Sequence, residues 1–150
     1  MDLLQKIEEI AAPFLSTIDA FIVDINIVQS EQQKVLQLFV DTDSGITIGQ
    51  CTKLNRNIGE ALELQNIIQN SYVLEVSSPD LTKPLKLLRQ YRKNIGRQFH
   101  VRYRKADGVI EMIATLDKIE GDVLNFMTKS KETCKVPFNE IIESIEELPW

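Results

Sequence analysis

The side chains that could support catalysis are few and scattered along the chain. The single histidine, His100, lies in a run where apolar and basic residues alternate, which predicts an exposed strand position. Ser77 and Ser78 stand close to Glu75, but no partner histidine accompanies them to activate a hydroxyl nucleophile. The sequence therefore predicts no catalytic residues and a protein that is not an enzyme.

Metal and cofactor sites are not predicted either. Asp41 and Asp43 could ligate Mg²⁺, but they lack a glycine-rich phosphate-binding loop and a third acid at ligand spacing. Loop and helix-capping roles explain them better. Cys51 and Cys134 lie far apart and outside any CxxC motif, so we expect free thiols and no zinc site.

Composition places the chain among globular proteins. Of its 150 residues, 43% are hydrophobic and 26% are charged, which suits one ordinary domain or two small ones. No apolar run approaches the roughly 20 residues that span a bilayer, and the first residues lack the pattern of a secretory signal. We therefore expect a cytoplasmic protein with no membrane or DNA partner.

Charge is distributed unevenly. The formal net charge is −5, yet residues 86–105 carry eight of the 17 basic residues and no acidic one, so the remainder has a net charge of −13. An acidic body attracts basic proteins, whereas a basic segment can touch a phosphate backbone locally. The candidate RNA contacts in this segment are Lys86, Arg89, Arg92, Lys93, Arg97, Arg102 and Arg104.

Apolar spacing predicts two helices in the first part of the chain. One begins at residue 3 with Asp2 in the capping position, and Pro13 should kink or stop it near residue 12. The other follows a loop at 41–45, where Thr47 and Gln50 form a capping box.

Alternating apolar residues predict three strands around these helices, near 21–27, 36–41 and 72–77. Phe21 and Ile25 are expected on the buried face of the first strand. The resulting α-β-β-α-β order predicts a small sheet whose two helices can cover one face.

After Pro84 the pattern changes to short strands with tight turns. A strand at 99–104 is predicted to carry its basic side chains on one exposed face, and Asp107-Gly108 predicts a hairpin into the next strand at 109–116. Further strands are predicted at 123–128, 133–137 and near 143–148. Five short strands favour a small closed barrel, SH3-like or Sm-like, because closure removes exposed edges.

The segment 72–85 reads YVLEVSSPDLTKPL and resembles the signature of the RimP family, Y-x-L-E-V-S-S-P-G-L-x-R-P-L. Asp80 replaces a glycine, and because Asp tolerates a left-handed backbone better than most residues, the turn is expected to survive. Lys83 replaces an arginine and lacks its bidentate fork. We expect Ser77 and Ser78 to hydrogen-bond the turn between two domains. The signature positions singled out are Tyr72, Leu74, Glu75, Ser77, Ser78, Pro79, Leu81, Lys83 and Pro84.

The resemblance implies an α+β protein with a KH-like α-β-β-α-β domain at 1–83, helices on one face of its sheet, and an SH3-like or Sm-like barrel at 84–150. It also implies a ribosome maturation factor that needs no cofactor. Such a factor binds the immature small (30S) ribosomal subunit and promotes its assembly, by engaging a basic small-subunit ribosomal protein. An acidic body suits this client, since complementary charge raises association rates. Glu111 and Glu143 are the candidate contacts to it.

The main alternative is a KH-like or Sm-like RNA-binding module that acts on ribosomal or other RNA. Two features argue against a general version of it. The first domain has no GXXG loop, and the only aromatic residue among the basic positions of the strand, Tyr103, is expected to point to the opposite face. Transient contact with ribosomal RNA stays open.

Overall fold

Two compact units follow one another in the computed structural model, Met1–Pro79 and Asp80–Trp150. The structure describes residues 2–29, 31–68 and 71–147. The N-terminal unit contains α1 (Leu3–Ser16), β1 (Ala20–Gln29), β2 (Lys34–Thr42), α2 (Ile48–Gln65) and β3 (Tyr72–Ser77). The predicted order α-β-β-α-β is confirmed. This division falls between residues 79 and 80, whereas the predicted domains meet between residues 83 and 84.

Both helices begin at capping boxes that the sequence predicts. The Asp2 carboxylate accepts from the Gln5 N–H at 2.8 Å, and the Gln5 side-chain oxygen accepts from the Asp2 N–H at 3.1 Å. Thr47 and Gln50 make the same reciprocal pair at the start of α2, at 3.1 and 2.9 Å. Each pair satisfies two backbone donors that a helix start would leave unpaired.

The prediction that Pro13 stops α1 near residue 12 is wrong, because α1 passes through this residue and ends at Ser16. Pro13 lies in the last turn, so the one intrahelical hydrogen bond that its missing N–H removes is near the end of the helix. The Ser16 hydroxyl donates to the Pro13 carbonyl at 3.0 Å, and the Thr17 hydroxyl donates to the Phe14 carbonyl at 2.7 Å. These bonds satisfy terminal carbonyls, and the burial of Leu15 stabilises the final turn.

The N-terminal sheet has the order β1-β2-β3, with β1 and β2 antiparallel and β2 and β3 parallel. Leu36, Leu38 and Val40 of β2 point to one face and are buried against both helices. The helical residues of this core are Ile7, Ala11, Leu15, Cys51, Leu54, Ile58 and Leu62. Both helices thus cover the same side of the sheet.

In part of β1, the side chains that face the helices are not the predicted ones. A bulge between Ile22 and Asp24 shifts the register, so Ile22 pairs with Val40 and faces the helices. Ile25 lies on that face as predicted, whereas Phe21 lies on the opposite face. A bulge inserts one extra residue, and simple alternation of residue types does not reveal it.

The C-terminal unit begins with a 3-10 helix, Leu88–Asn94, that the sequence pattern does not predict. Five strands follow: β4 (Gln98–Lys105), β5 (Gly108–Glu120), β6 (Val123–Met127), β7 (Thr133–Pro137) and, after a second 3-10 turn at Phe138–Glu140, β8 (Ile141–Glu146). They form an antiparallel sheet in the order β7-β6-β5-β4-β8. Residue 148, the predicted end of the last strand, lies outside the described residues.

Aromatic side chains fill the core of this unit. Tyr91 from the first 3-10 helix packs on Phe99 with ring centroids 5.7 Å apart, and Phe99 meets Phe126 edge-to-face at 6.3 Å. Tyr103 is also buried, so its predicted inward direction is confirmed. Aromatic pairs of this kind add to the stabilisation that their buried area provides.

The barrel predicted for this unit is not closed. β7 and β8 are the two ends of the sheet order, and no ladder joins them among the described residues. The chain passes from β7 to β8 through the 3-10 turn, whose Phe138 N–H donates to the Asp122 carbonyl at 2.8 Å. A 3-10 turn takes the backbone out of strand geometry where closure would need pairing, so two edges remain.

The β4-β5 hairpin turns one residue earlier than predicted. Lys105 pairs with Gly108, so the two turn residues are Ala106 and Asp107, and Ala106 has a left-handed φ of 52°. β5 continues to Glu120, well beyond the predicted end at residue 116. The Asp-Gly pair therefore locates the hairpin correctly but not its register.

Candidate functional site

A cleft of about 500 Å³ lies beside the end of β3 in the N-terminal unit. Its two walls are the first turns of α2 with the residues before them, and the chain at residues 76–78. The cleft combines apolar groups with hydroxyl, amide and guanidinium groups. Its lining residues are Ile46, Thr47, Ile48, Cys51, Thr52, Asn55, Arg56, Val76, Ser77 and Ser78.

The chemistry of this cleft suits binding. Burial and, to a smaller extent, the nearby Asp41 carboxylate raise the pKa of the Cys51 thiol, which keeps it protonated and a poor nucleophile. The Thr52 hydroxyl donates to the Ile48 carbonyl at 3.0 Å. No histidine or carboxylate lines the cleft to act as a base.

The acids considered for Mg²⁺ lie at the end of β2 and in the turn after it. Asp41 belongs to β2 and is only 1% exposed, and its carboxylate accepts from the Thr42 N–H at 2.9 Å. The Thr42 hydroxyl donates to the Gly45 carbonyl at 2.7 Å and closes the turn that contains Asp43. In residues 2–29, 31–68 and 71–147, no three His, Cys, Asp or Glu side chains converge to hold a metal ion.

The RimP-like signature forms β3 and the turn after it. Tyr72 and Leu74 pack toward the helices, whereas Glu75 is exposed. In the turn, the Asp80 carboxylate accepts from the Thr82 N–H at 2.8 Å and from its hydroxyl at 2.7 Å. The hydrogen bond from the Thr82 side chain is the main reason that the pKa of Asp80 lies below its usual range.

The turn expected at Asp80 is present, with the Lys83 N–H donating to the Asp80 carbonyl at 3.2 Å, and it does not require a left-handed backbone at Asp80. The role expected of Ser77 and Ser78 is wrong. Ser77 and Ser78 make no side-chain hydrogen bond to the described part of the chain, and they line the cleft instead. Leu81, also in the signature, is 54% exposed.

The basic residues before β4 surround the first 3-10 helix and do not lie on a strand. The buried Gln90 side chain accepts from the Lys86 and Leu87 N–H groups at 2.7 and 2.8 Å and fixes the start of this helix. Lys86, Arg89, Arg92 and Lys93 each make an interaction within the chain. These four residues are therefore already engaged, which the sequence alone does not indicate.

The basic side chain of Arg102 on β4 lies next to acidic side chains of the two neighbouring strands. Arg102 pairs with Glu111 on β5 and with Glu143 on β8, so the three residues form one row across three strands. Directly opposed residues have Cβ atoms about 4.5–5.5 Å apart. The candidate RNA contact and both candidate protein contacts therefore lie side by side.

His100 and Arg97 also lie close to acidic side chains. His100 contacts the Glu111 carboxylate through Nε2 and lies 4.0 Å from the Glu147 carboxylate through Nδ1. Arg97 lies 3.7 Å from Glu146. His100 is thus a partly exposed residue between acids, and the face of β4 is less positive than its sequence indicates.

Sequence reasoning missed the α2 wall of the cleft. Thr52, Asn55 and Arg56 have i, i+3, i+4 spacing, which places polar side chains on one face of a helix. This spacing could have indicated a polar face of α2 from the sequence alone.

Comparison with protein families identifies the N-terminal unit. Residues 10–82 match the family model described as the RimP N-terminal domain. The chain belongs to the RimP family. The matched RimP segment runs from within α1 to the turn after β3 and includes every residue of the cleft.

RimP proteins are ribosome maturation factors that have no catalytic activity, and membership implies a role in maturation of the 30S subunit. Among the described residues, no helix is both long and apolar enough to cross a membrane.

Proposed function

We propose that this RimP-family chain is a cytoplasmic, non-enzymatic factor that binds a basic small-subunit ribosomal protein on the immature 30S subunit. The observation that carries this proposal is the match of residues 10–82 to the RimP N-terminal domain. The factor would need no metal and no cofactor. It would promote assembly by binding and positioning its client.

The charge of the two units supports a basic client. Residues 1–79 contain four Lys or Arg and eleven Asp or Glu, a net charge of −7, whereas residues 80–150 contain thirteen and eleven, a net charge of +2. Ribosomal proteins that bind RNA are cationic, and complementary charge steers association. The N-terminal unit is therefore the stronger electrostatic attractor.

Glu111 and Glu143 remain candidate contacts to the client, with a smaller expected effect than the acids of the N-terminal unit. Each lies directly opposite Arg102, and a neighbouring cation reduces the attraction that a carboxylate exerts on a basic partner.

RNA contact is proposed as a secondary interaction. Arg104 is exposed and lies opposite Val109, so no acid faces it across this pair. A KH-like or Sm-like RNA-binding module would depend on such residues for its main affinity. We also propose that 1–83 is a KH-like domain and 84–150 an SH3-like or Sm-like one, a division supported by the two sheet orders.

The test is to measure association of the full chain with purified basic small-subunit ribosomal proteins and with naked small-subunit RNA. We expect binding to at least one of the proteins, with an association rate that falls as salt rises because steering is screened. Binding to RNA alone, with no ribosomal protein bound, would contradict the proposed client and favour the RNA-binding module.

A further inference from the structure

β3 is an edge strand of the N-terminal sheet. It lies at the end of the order β1-β2-β3 and pairs with β2 through all 6 of its residues. Proteins commonly protect such edges with proline, lysine or a bulge, because unpaired N–H and C=O groups can pair with another chain. Tyr72–Ser77 contains none of these, and no further strand pairs with it in the described part of the unit.

The two rows of side chains along β3 face different surroundings. Leu74 and Val76 point toward the helices, and Val76 reaches the cleft beside α2. Val73 and Glu75 point to the opposite face, since they pair with Val35 and Gln37 of β2. Both are exposed. A strand added to β3 would therefore place alternate side chains in the cleft and beside Glu75.

The cleft row selects for residues without a positive charge. Cys51, Thr52 and Asn55 give this wall a mixed apolar and hydrogen-bonding character. Arg56, on the same wall, is exposed and forms no ion pair with the described residues. Its charge would repel a lysine or arginine that points into the cleft.

The opposite row selects for basic residues. Glu75 is exposed on this face of β3, and the described strand residues that share the face include no lysine or arginine. The negative charge of Glu75 favours Lys or Arg beside it on an incoming strand.

We propose that β3 accepts an extended basic segment of the client as a fourth strand, with alternate uncharged residues in the cleft and Lys or Arg beside Glu75. The inference rests on the proposed function, because it names the surface that the basic client occupies. In strand addition, main-chain hydrogen bonds give affinity and the alternating side-chain environments give specificity.

The first test titrates the full chain with a synthetic ten-residue peptide of alternating Ser and Lys, followed by amide NMR. We expect shifts and slower amide exchange at residues 72–77 and at the α2 wall of the cleft. Shifts that are absent or that lie elsewhere would overturn the proposal. A single-stranded oligouridine that perturbs the same residues more strongly would assign this edge to RNA and overturn it as well.

Backbone methylation of the peptide separates strand pairing from general charge attraction. Alternate N–H groups of an added strand point toward β3 and away from it. Two peptides, N-methylated at one alternate set or at the other, carry the same charge. We expect one set to abolish binding and the other to leave it within about twofold. Equal effects of both sets would rule out a paired strand.

A charge reversal with a matched control tests the selectivity. Glu75→Lys should weaken peptide binding by roughly tenfold at low salt, whereas Glu8→Lys on α1 makes the same net charge change and should have an effect below about twofold. Equal weakening by both variants would mean that only net charge matters, against the proposal.

The same samples separate this inference from the proposed function. If the unmodified chain binds the small subunit and a ribosomal protein but β3 does not respond to the peptide, the strand-addition site is wrong and the proposed function stands. If the chain binds no ribosomal protein, the proposed function fails first.

Discussion

The two units contain equal numbers of acidic residues, eleven each, but arrange them differently. In the C-terminal unit Glu111 and Glu143 lie opposite Arg102, and Glu146 lies near Arg97. In the N-terminal unit Glu75 is exposed on the face away from the helices, and the described strand residues that share this face include no lysine or arginine. The number of acids is thus a poor guide to attraction for a basic partner, which depends on their pairing across the sheet.

The cores differ as well. Aliphatic residues from two helices and one sheet face fill the N-terminal core, whereas the C-terminal core combines aliphatic residues with four buried tyrosines and phenylalanines. Each unit therefore has a hydrophobic core of its own, and perturbing one should be measurable against the other.

The largest expected effect comes from truncating a core aromatic. Phe126 is fully buried and packs on Phe99, so Phe126→Ala should lower the unfolding free energy of the C-terminal unit by about 3–5 kcal/mol. Leu38→Ala is the counterpart in the N-terminal unit, with an expected loss of about 2–5 kcal/mol there. Hydrogen exchange, resolved by residue, measures both.

These losses should appear in the unit that carries the substitution. If either variant lowered the protection of β2 and β5 by equal amounts, the two cores would unfold as one cooperative body, and the distinction between them would be incorrect.

A smaller effect is expected at alkaline pH. Burial raises the pKa of Tyr91 to about 12, whereas an unfolded tyrosine ionises near about 10. Between these values the unfolded chain releases a proton that the folded unit retains, so stability is complete below about pH 10 and falls as pH rises toward 12. Tyr91→Phe should make this decline shallower by about 1 kcal/mol per pH unit.

The same substitution should cost little near neutral pH, because neither the Tyr91 nor the Ser144 hydroxyl has a hydrogen-bond partner of normal geometry among the described residues. Tyr72→Phe in the N-terminal unit is the control. Denaturant unfolding at several pH values, followed in the C-terminal unit, provides the measurement. An unchanged alkaline slope in Tyr91→Phe would show that this phenol is not protected by burial.

The smallest effect concerns the basic residues of β4. Arg104→Ala should weaken binding to naked small-subunit RNA and reduce the salt slope by about one, as expected for one lost phosphate contact. Arg102→Ala should change it less, because Glu111 and Glu143 lie beside that side chain. Filter binding over a range of salt concentrations compares the two. A larger loss from Arg102→Ala would contradict the inference that Glu111 and Glu143 reduce the contribution of Arg102 to RNA binding.

Much of the fold follows from local sequence. Both capping boxes, the order of elements in the N-terminal unit and the bounds of β7 can be predicted, since each depends on neighbouring residues. The continuation of α1 past Pro13 and the shift in β1 cannot, because they depend on tertiary packing and on a bulge. The sequence also does not show that, within the described residues, β7 and β8 do not pair with each other.

The candidate site was harder to predict than the fold. The signature at 72–85 identifies the family, but the cleft arises only when the end of β3 meets the start of α2, which are separated in the chain. Likewise, the pairing of Arg102 with Glu111 and Glu143 depends on the register of three strands. The sequence shows which residues alternate along a strand, but it does not show which residues lie opposite them on the neighbouring strands.

The most direct test of the account is to fractionate cell extract on a sucrose gradient and locate the protein. A factor that matures the 30S subunit should travel with free small subunits and be absent from complete ribosomes, and Glu75→Lys should shift part of it to the top of the gradient. Sedimentation of the unmodified protein away from small subunits, at low and moderate salt alike, would contradict the proposed role.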